Sequence, residues 1–295
     1  MLPANPASNP RSAENTTYTI SYHPPYDWAW MSQFLAARAV NGLEAITQES
    51  FSRVMTIGGV TGLVVARPEP QHHRLQVALS PSLVPVAEIV LERVRHWLNL
   101  GLNPEEVNQV LGPLAALNPG IRMPGCICPF EQMVRAVLGQ LVSVKMAAQL
   151  ATRLVDTFGT ACAHGQLFPQ AEVLAGCDPL ALKSLGMSLR RAQTIITLAQ
   201  SVVAEEFPLT PPEDTSAGLK QLMSWPGIGR WTASYFALRG WGAQDVFLED
   251  DYLIKQRFAG MTPAQIRRYA GRWAPWRSLA LLHIWNNAGW QPELS

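Results

Sequence analysis

Asp250 and Asp251 follow the short apolar run Val246-Phe247-Leu248 and Glu249, and directly precede Tyr252-Leu253-Ile254-Lys255. An acid at the start of an apolar helical run sits among free backbone N–H groups and at the positive end of the helix dipole, so it is held as an anion. A fixed negative charge of this kind can steady a sugar that becomes cationic as its glycosidic bond breaks, or orient the attacking water. The same pattern also serves a plain helix N-cap. Asp251 is the candidate catalytic carboxylate and Asp250 its support.

A second group of residues lies just upstream, in Met223-Ser224-Trp225-Pro226-Gly227-Ile228-Gly229-Arg230. A Pro-Gly-apolar-Gly corner lets two helix ends approach closely, because its glycines can take positive φ and have no side chain to block an incoming backbone. The helix that follows opens with free N–H groups, a seat for phosphate that reads no bases. Gly227, Gly229, Arg230 and Thr232 are therefore the candidate contacts to a nucleic-acid backbone. Trp231 and Tyr235 lie one turn apart on that helix, and Trp285 lies on the last one. Together they would form an aromatic slot for an extruded base, best suited to a base carrying positive charge, although aromatic packing alone explains the same residues. Gly139-Gln140-Leu141-Val142-Ser143 breaks two helices, and Leu141 at its tip is either a wedge for the gap left by that base or a core residue. Arg190 and Arg191 either meet phosphate or solvate a helix face.

The elements that must position these groups change character along the chain. Residues 1 to 16 are rich in Pro, Asn and Ser without apolar periodicity and are expected to be a disordered tail. Residues 17 to 104 combine β-branched runs around 18–22, 53–57, 63–66 and 75–79, a Gly58-Gly59 turn, and helices near 27–40 and 84–98, which predicts an antiparallel α+β unit. From Asn103-Pro104 onward apolar residues recur at spacings of three and four, so the remainder is helical. The fold class is α+β, mostly α. One helical domain is expected over 129–243, with the wedge loop and hairpin. A second, over 105–128 plus 244–295, would carry Asp251.

With 295 residues and 15% charged side chains, the chain can bury a full core without staples. Net charge is only +1, but residues 183–277 hold twelve Lys or Arg against eight Asp or Glu, a mild basic bias that suits phosphates. Cys126, Cys128, Cys162 and Cys177 lack metal-site spacing and read as reduced thiols. There is no signal segment and no long apolar run, which predicts a cytoplasmic protein without membrane contact.

The blocks "WPGIGRWTASYFALRG", "DVFLEDDYLIKQRF" and "LLHIW", with "YHPPYDW", "FLAARAV" and "LGQLVSV" before them, resemble the helix-hairpin-helix DNA glycosylase superfamily, most of all its bacterial alkylation-repair branch of the 3-methyladenine type. The resemblance implies base flipping from double-stranded DNA containing alkylated bases, and hydrolysis by a monomer that leaves an abasic site. It implies that Asp251 is the catalytic carboxylate, that Trp231, Tyr235 and Trp285, joined by Phe34, line the base pocket, and that Leu141 is the wedge. It further implies that no cofactor is needed for the chemistry. The backbone carbonyls of Met223, Trp225 and Ile228 would hold a monovalent cation that bridges to phosphate. Relatives that also cut the strand carry a lysine where this chain has Trp231, so no lyase step is expected. Where relatives often have proline, this chain has Glu249, an extra negative charge bearing on Asp251 or on its loop. Two alternatives stay open: a non-catalytic hairpin module that binds damage, and a glycosylase for deaminated or mismatched bases.

Overall fold

In the computed structural model, residues 15–293 are described. The tail expected over 1–16 lies outside them up to residue 14, and Thr16 already belongs to a strand. β1 (Thr16–Ser21), β2 (Glu44–Ile46), β3 (Phe51–Ile57), β4 (Val60–Glu69) and β5 (Arg74–Leu79) form one antiparallel sheet in the order β1-β5-β4-β3-β2. Gly58 and Gly59, both at positive φ, make the two-residue turn that sets Ile57 opposite Val60. Alternation along β5 sends Leu75, Val77 and Leu79 inward. There they meet Trp28, Met31 and Leu35 of α1 (Trp28–Ala36) and Val90, Val94 and Trp97 of α2 (Ala87–Trp97).

The rest of the chain is helical: α3 (Pro104–Leu111), α4 (Pro129–Leu138), α5 (Val144–Phe158), α6 (Ala171–Ala175), α7 (Pro179–Lys183), α8 (Leu189–Val203), α9 (Thr215–Met223), α10 (Arg230–Phe236), α11 (Tyr252–Arg257), α12 (Pro263–Ala270) and α13 (Arg277–Asn286). A small hairpin of β6 (Thr160–Cys162) and β7 (Gly165–Leu167) interrupts them. Its strands of three residues are too short to announce themselves by periodicity. α10 widens into one π turn over Ala237–Trp241, ended by Gly242 in the left-handed region. The helices share a single large core that includes Val134, Leu154, Ile195, Phe236 and Leu281.

Four charges, on the buried Arg53 and Glu131 and the part-buried Glu44 and Arg135, join the sheet to this core. Arg53 of β3 donates to Glu44 of β2 at 2.7 Å and also to Glu131 of α4, while Arg135 of α4 donates to Glu44 at 2.7 Å and pairs with Glu131 at 2.7 Å. Two guanidiniums against two carboxylates leave no net charge in the interface, the condition under which such burial is tolerable. Arg135 also donates to the Arg38 carbonyl at 3.2 Å and so fixes the chain just after α1. No helix among the described residues is long and apolar enough to cross a membrane.

Candidate active site

The corner between α9 and α10 needs glycine at one of its two positions. Gly227 has φ +86°, and a Cβ there would lie 2.0 Å from Thr194 Oγ1, so both conformation and space demand it. Gly229 does not use the positive φ open to glycine: at φ −90° it is an ordinary extended N-cap. A Cβ on Gly229 would meet nothing within 4 Å, so the protein's own packing does not require a glycine there. No side chain caps α10, and the N–H groups of Arg230, Trp231 and Thr232 find no backbone acceptor among the described residues. The Thr232 hydroxyl itself is buried and accepts from Gln140 Nε2 at 2.9 Å, so only the Thr232 backbone is free to meet a partner.

Asp251 caps α11 through Oδ1, which accepts from Leu253 N at 3.1 Å and Ile254 N at 3.3 Å. The capping reading of this residue is met, and capping occupies only one of its two carboxylate oxygens. Trp285 Nε1 donates to the same Oδ1 at 3.1 Å, and Trp231 Nε1 donates to Oδ2 at 3.0 Å. Three donors fill Oδ1 and one reaches Oδ2, so Oδ2 keeps the spare lone pair. Asp250 points elsewhere, to Arg230 at 3.6 Å and Lys255 at 3.6 Å.

Glu249 is buried with its carboxylate on Arg267, where Nε donates at 2.8 Å, and it lies 3.5 Å from Arg230. The extra charge expected to bear on Asp251 is thus matched by arginine, and its effect falls on the loop, which it ties to α12. The same contacts draw Arg230 toward carboxylates, with half of its side chain left exposed.

Asp251, Trp231, Tyr235, Trp285 and Phe34 border one cavity of about 390 Å³. Trp231 and Tyr235 stack with ring centroids 5.0 Å apart and planes 7° from parallel. Phe34, from α1, carries the Arg38 guanidinium 3.6 Å above its ring. Arg239 donates to the Tyr235 hydroxyl at 3.1 Å and is itself anchored on the Pro124 and Gly125 carbonyls. Burial alone would raise the Tyr235 phenol, yet the positive charges of Arg239 and Arg38 outweigh it and bring it down to about 8. Arg38, Arg239 and Gln132 are among the site-lining residues that sequence reasoning missed. Arg239 had a legible signal, lying one helical turn beyond Tyr235.

Leu141 stands fully exposed, with φ +55°. A leucine in the left-handed region is strained and buries nothing here, so the core reading fails for this protein alone. Gln140 beside it donates to the Gly227 carbonyl at 3.0 Å as well as to Thr232, and its own carbonyl accepts from Arg191. Arg191 therefore braces the wedge loop, the third possibility beyond the two that the sequence offered. Of the carbonyls expected to hold a cation, Trp225 O accepts from Ile228 N at 3.1 Å across the corner, while Met223 ends α9. The four cysteines are free.

Residues 134–274 match the family described as HhH-GPD superfamily base excision DNA repair protein, and residues 17–127 match the AlkA N-terminal domain. The chain is 52% identical to DNA-3-methyladenine glycosylase 2 of Escherichia coli (strain K12) over 94% of its own length and 99% of that protein. The chain belongs to the HhH-GPD superfamily. Solved folds agree. A 3-methyladenine DNA-glycosylase from Archaeoglobus fulgidus superposes with a TM-score of 0.77 at 22% identity, over 90% of this chain and 96% of the other. MBOgg1, solved in complex with low affinity DNA ligand, reaches 0.69 at 18% identity over 91% and 94%. The α+β, mostly α class with a hairpin-bearing helical part is the fold of this superfamily.

Proposed function

We propose that this protein is a monofunctional DNA glycosylase that hydrolyses the N-glycosidic bond of alkylated, cationic purines of the 3-methyladenine type in double-stranded DNA. The observation that carries the reading is the Asp251 carboxylate, clamped by the indole N–H groups of Trp231 and Trp285 on the wall of an aromatic cavity. The flipped base enters between Trp231, Tyr235, Trp285 and Phe34, where π faces attract its positive charge. Water adds to the anomeric carbon as the bond to the base nitrogen breaks. The water's proton passes to solvent and the neutral base departs. Asp251 Oδ2 supplies the negative charge opposite the sugar as that sugar becomes cationic. Since Trp231 occupies the position of the lysine in strand-cutting relatives, the product is an intact strand with an abasic site.

Duplex binding rests on the corner. The uncapped N–H groups of Arg230, Trp231 and Thr232, and the open space over Gly229, receive a phosphate, and Leu141 fills the stack. The carbonyls of Met223, Trp225 and Ile228 flank the turn at Gly227 and are neutral, hard oxygen donors, a type that suits sodium or potassium, although the Trp225 carbonyl already accepts from Ile228 N at 3.1 Å. That ion would add positive charge toward the phosphate and take no part in bond cleavage. The protein acts as a monomer in the cytoplasm.

Methylated duplex DNA incubated with the protein and with Asp251→Asn tests the reading through the free bases released. Release of 3-methyladenine by the parent, lost in a variant that still binds DNA, is expected. Equal release by both refutes the role of Asp251, and release by neither leaves a DNA-binding module.

A further inference from the structure

Helix α4 turns one face to the cavity, bearing Gln132, Arg135 and Gly139 at spacings of three and four. Arg135 is spent on Glu44, Glu131 and the Arg38 carbonyl. Gly139 offers only backbone, close beneath the Trp231 ring. Gln132 is different. Its residue is 4% exposed, yet its carboxamide makes no hydrogen bond to any described residue, and it borders the same cavity as Asp251. The amide is not among the sealed, unpartnered polar groups of the described residues, so its donor and acceptor open onto the cavity, where an arriving ligand can use them.

The other polar groups at this end of the cavity are already committed or single-minded. Arg239 is held by two backbone carbonyls and Tyr235, and Arg38 by the Phe34 carbonyl, and both guanidiniums can only donate. Gln132 thus brings an amide acceptor as well as a donor to a cavity it shares with Arg38, Arg239 and the aromatic rings, the other carboxamide there being Asn286 on α13.

We infer that Gln132 is a specificity-determining residue that reads the polar edge of the flipped base and favours 6-aminopurines. This rests on the cavity being the base site, as proposed above. A carboxamide pairs with an amino group beside a ring-nitrogen acceptor, the pattern adenine presents with N6 and N7. 3-Methyladenine keeps that pattern on both edges that flank its amino group. On its N7 edge 7-methylguanine has lost the ring acceptor and shows only O6, so the amide oxygen would face no donor there. The N1 edge, with O6 and N1–H, would still pair with a rotated amide, and Gln132 is therefore placed on the N7 edge. The aromatic slot would then select for positive charge, and Gln132 would rank cationic purines by their edges.

Methylated duplex DNA supplies both bases in one reaction, with enzyme in excess. Gln132→Met keeps length and bulk while removing donor and acceptor, and the ratio of 3-methyladenine to 7-methylguanine release is expected to fall roughly tenfold. Gln132→Glu keeps the acceptor for the amino group, and its ratio should fall less. Thermal unfolding and affinity for abasic-site DNA should match the parent in both variants. A ratio within about twofold of the parent, or an equal fall for both bases, overturns the inference and leaves Gln132 a packing residue. If the parent releases neither base, the glycosylase reading fails and this one fails with it. If the parent releases both and the variants keep its ratio, only this one fails.

Discussion

The Gln140 carboxamide nitrogen lies 2.9 Å from the Thr232 hydroxyl and 3.0 Å from the Gly227 carbonyl, so one side chain couples the wedge loop to the phosphate-facing corner. The coupling joins the group that would fill the base stack to the group that would grip the strand. Gln140→Ala should cost about 1–2 kcal/mol of stability, since it leaves a buried hydroxyl and a carbonyl short of a donor. It should weaken binding to abasic-site duplex more than it weakens binding to single-stranded DNA. Urea unfolding and fluorescence anisotropy measure the two effects.

Leu141 should separate stability from function. Leu141→Gly removes an exposed side chain from a left-handed backbone, and is expected to leave unfolding unchanged or to raise stability by up to about 1 kcal/mol. Base release from duplex should fall, and release from a lesion placed opposite a gap should fall less, because that base needs no wedge to stay out.

Replacing either indole tests the clamp on Asp251. Trp285→Phe and Trp231→Phe each delete one N–H donor to the carboxylate while keeping an aromatic face. Loss of a hydrogen bond to a charged group is worth about 1.5–3 kcal/mol, so single-turnover release should drop by roughly one to two orders of magnitude. Trp231→Phe should be the more severe, since its partner Oδ2 is the oxygen left free to face the sugar. A fall in Trp285→Phe that exceeds that in Trp231→Phe would reverse this assignment.

The Tyr235 phenol, brought down to about 8 by Arg239 and Arg38, gives the cavity a charge that changes in mildly alkaline solution. Its folded value lies below that of a free phenol, so ionisation stabilises the fold above the free value, and the contribution fades as pH falls through about 8. The tyrosinate absorbance band should therefore appear near pH 8 in the parent and be absent there in Tyr235→Phe. Above that pH the added negative charge should raise release of cationic bases relative to neutral ones.

Glu249→Gln keeps the shape of the buried side chain and removes the charge that Arg267 and Arg230 share. The arginines are half exposed, so solvent screens the loss and destabilisation should stay near 1 kcal/mol. Activity should fall further than stability does, because the loop that ends in Asp251 loses its tie to α12.

Much of the carboxylate end of this site was legible in one dimension. A helix that starts at Tyr252 must place Asp251 among free N–H groups, and a helix of period 3.6 must put Trp231 and Tyr235 on one face. The division of work within the corner was not legible, because a Pro-Gly-x-Gly string does not say which glycine turns the chain; the positive φ and the contact with Thr194 single out Gly227. Arg38 and Gln132 were invisible for another reason. Arg38 lies in the turn just after α1 and Gln132 on α4, and which of their side chains meet the cavity depends on the Arg135 network that packs α4 against the sheet and the chain after α1. Helices as short as Ala171–Ala175 carry less than two turns of pattern, so no periodicity could reveal them.

The four-charge junction of Arg53, Glu44, Glu131 and Arg135 divides labour along the chain. Phe34 and Arg38 reach the cavity from before residue 40, whereas Asp251, Trp231 and Trp285 all come from beyond residue 230. One wall of the cavity is therefore written far from the residues that hold Asp251, with the junction as the rivet between them. A graft that exchanges the first stretch while keeping the rivet would change the Phe34 and Arg38 side of the cavity and leave Asp251 and its two indoles in place.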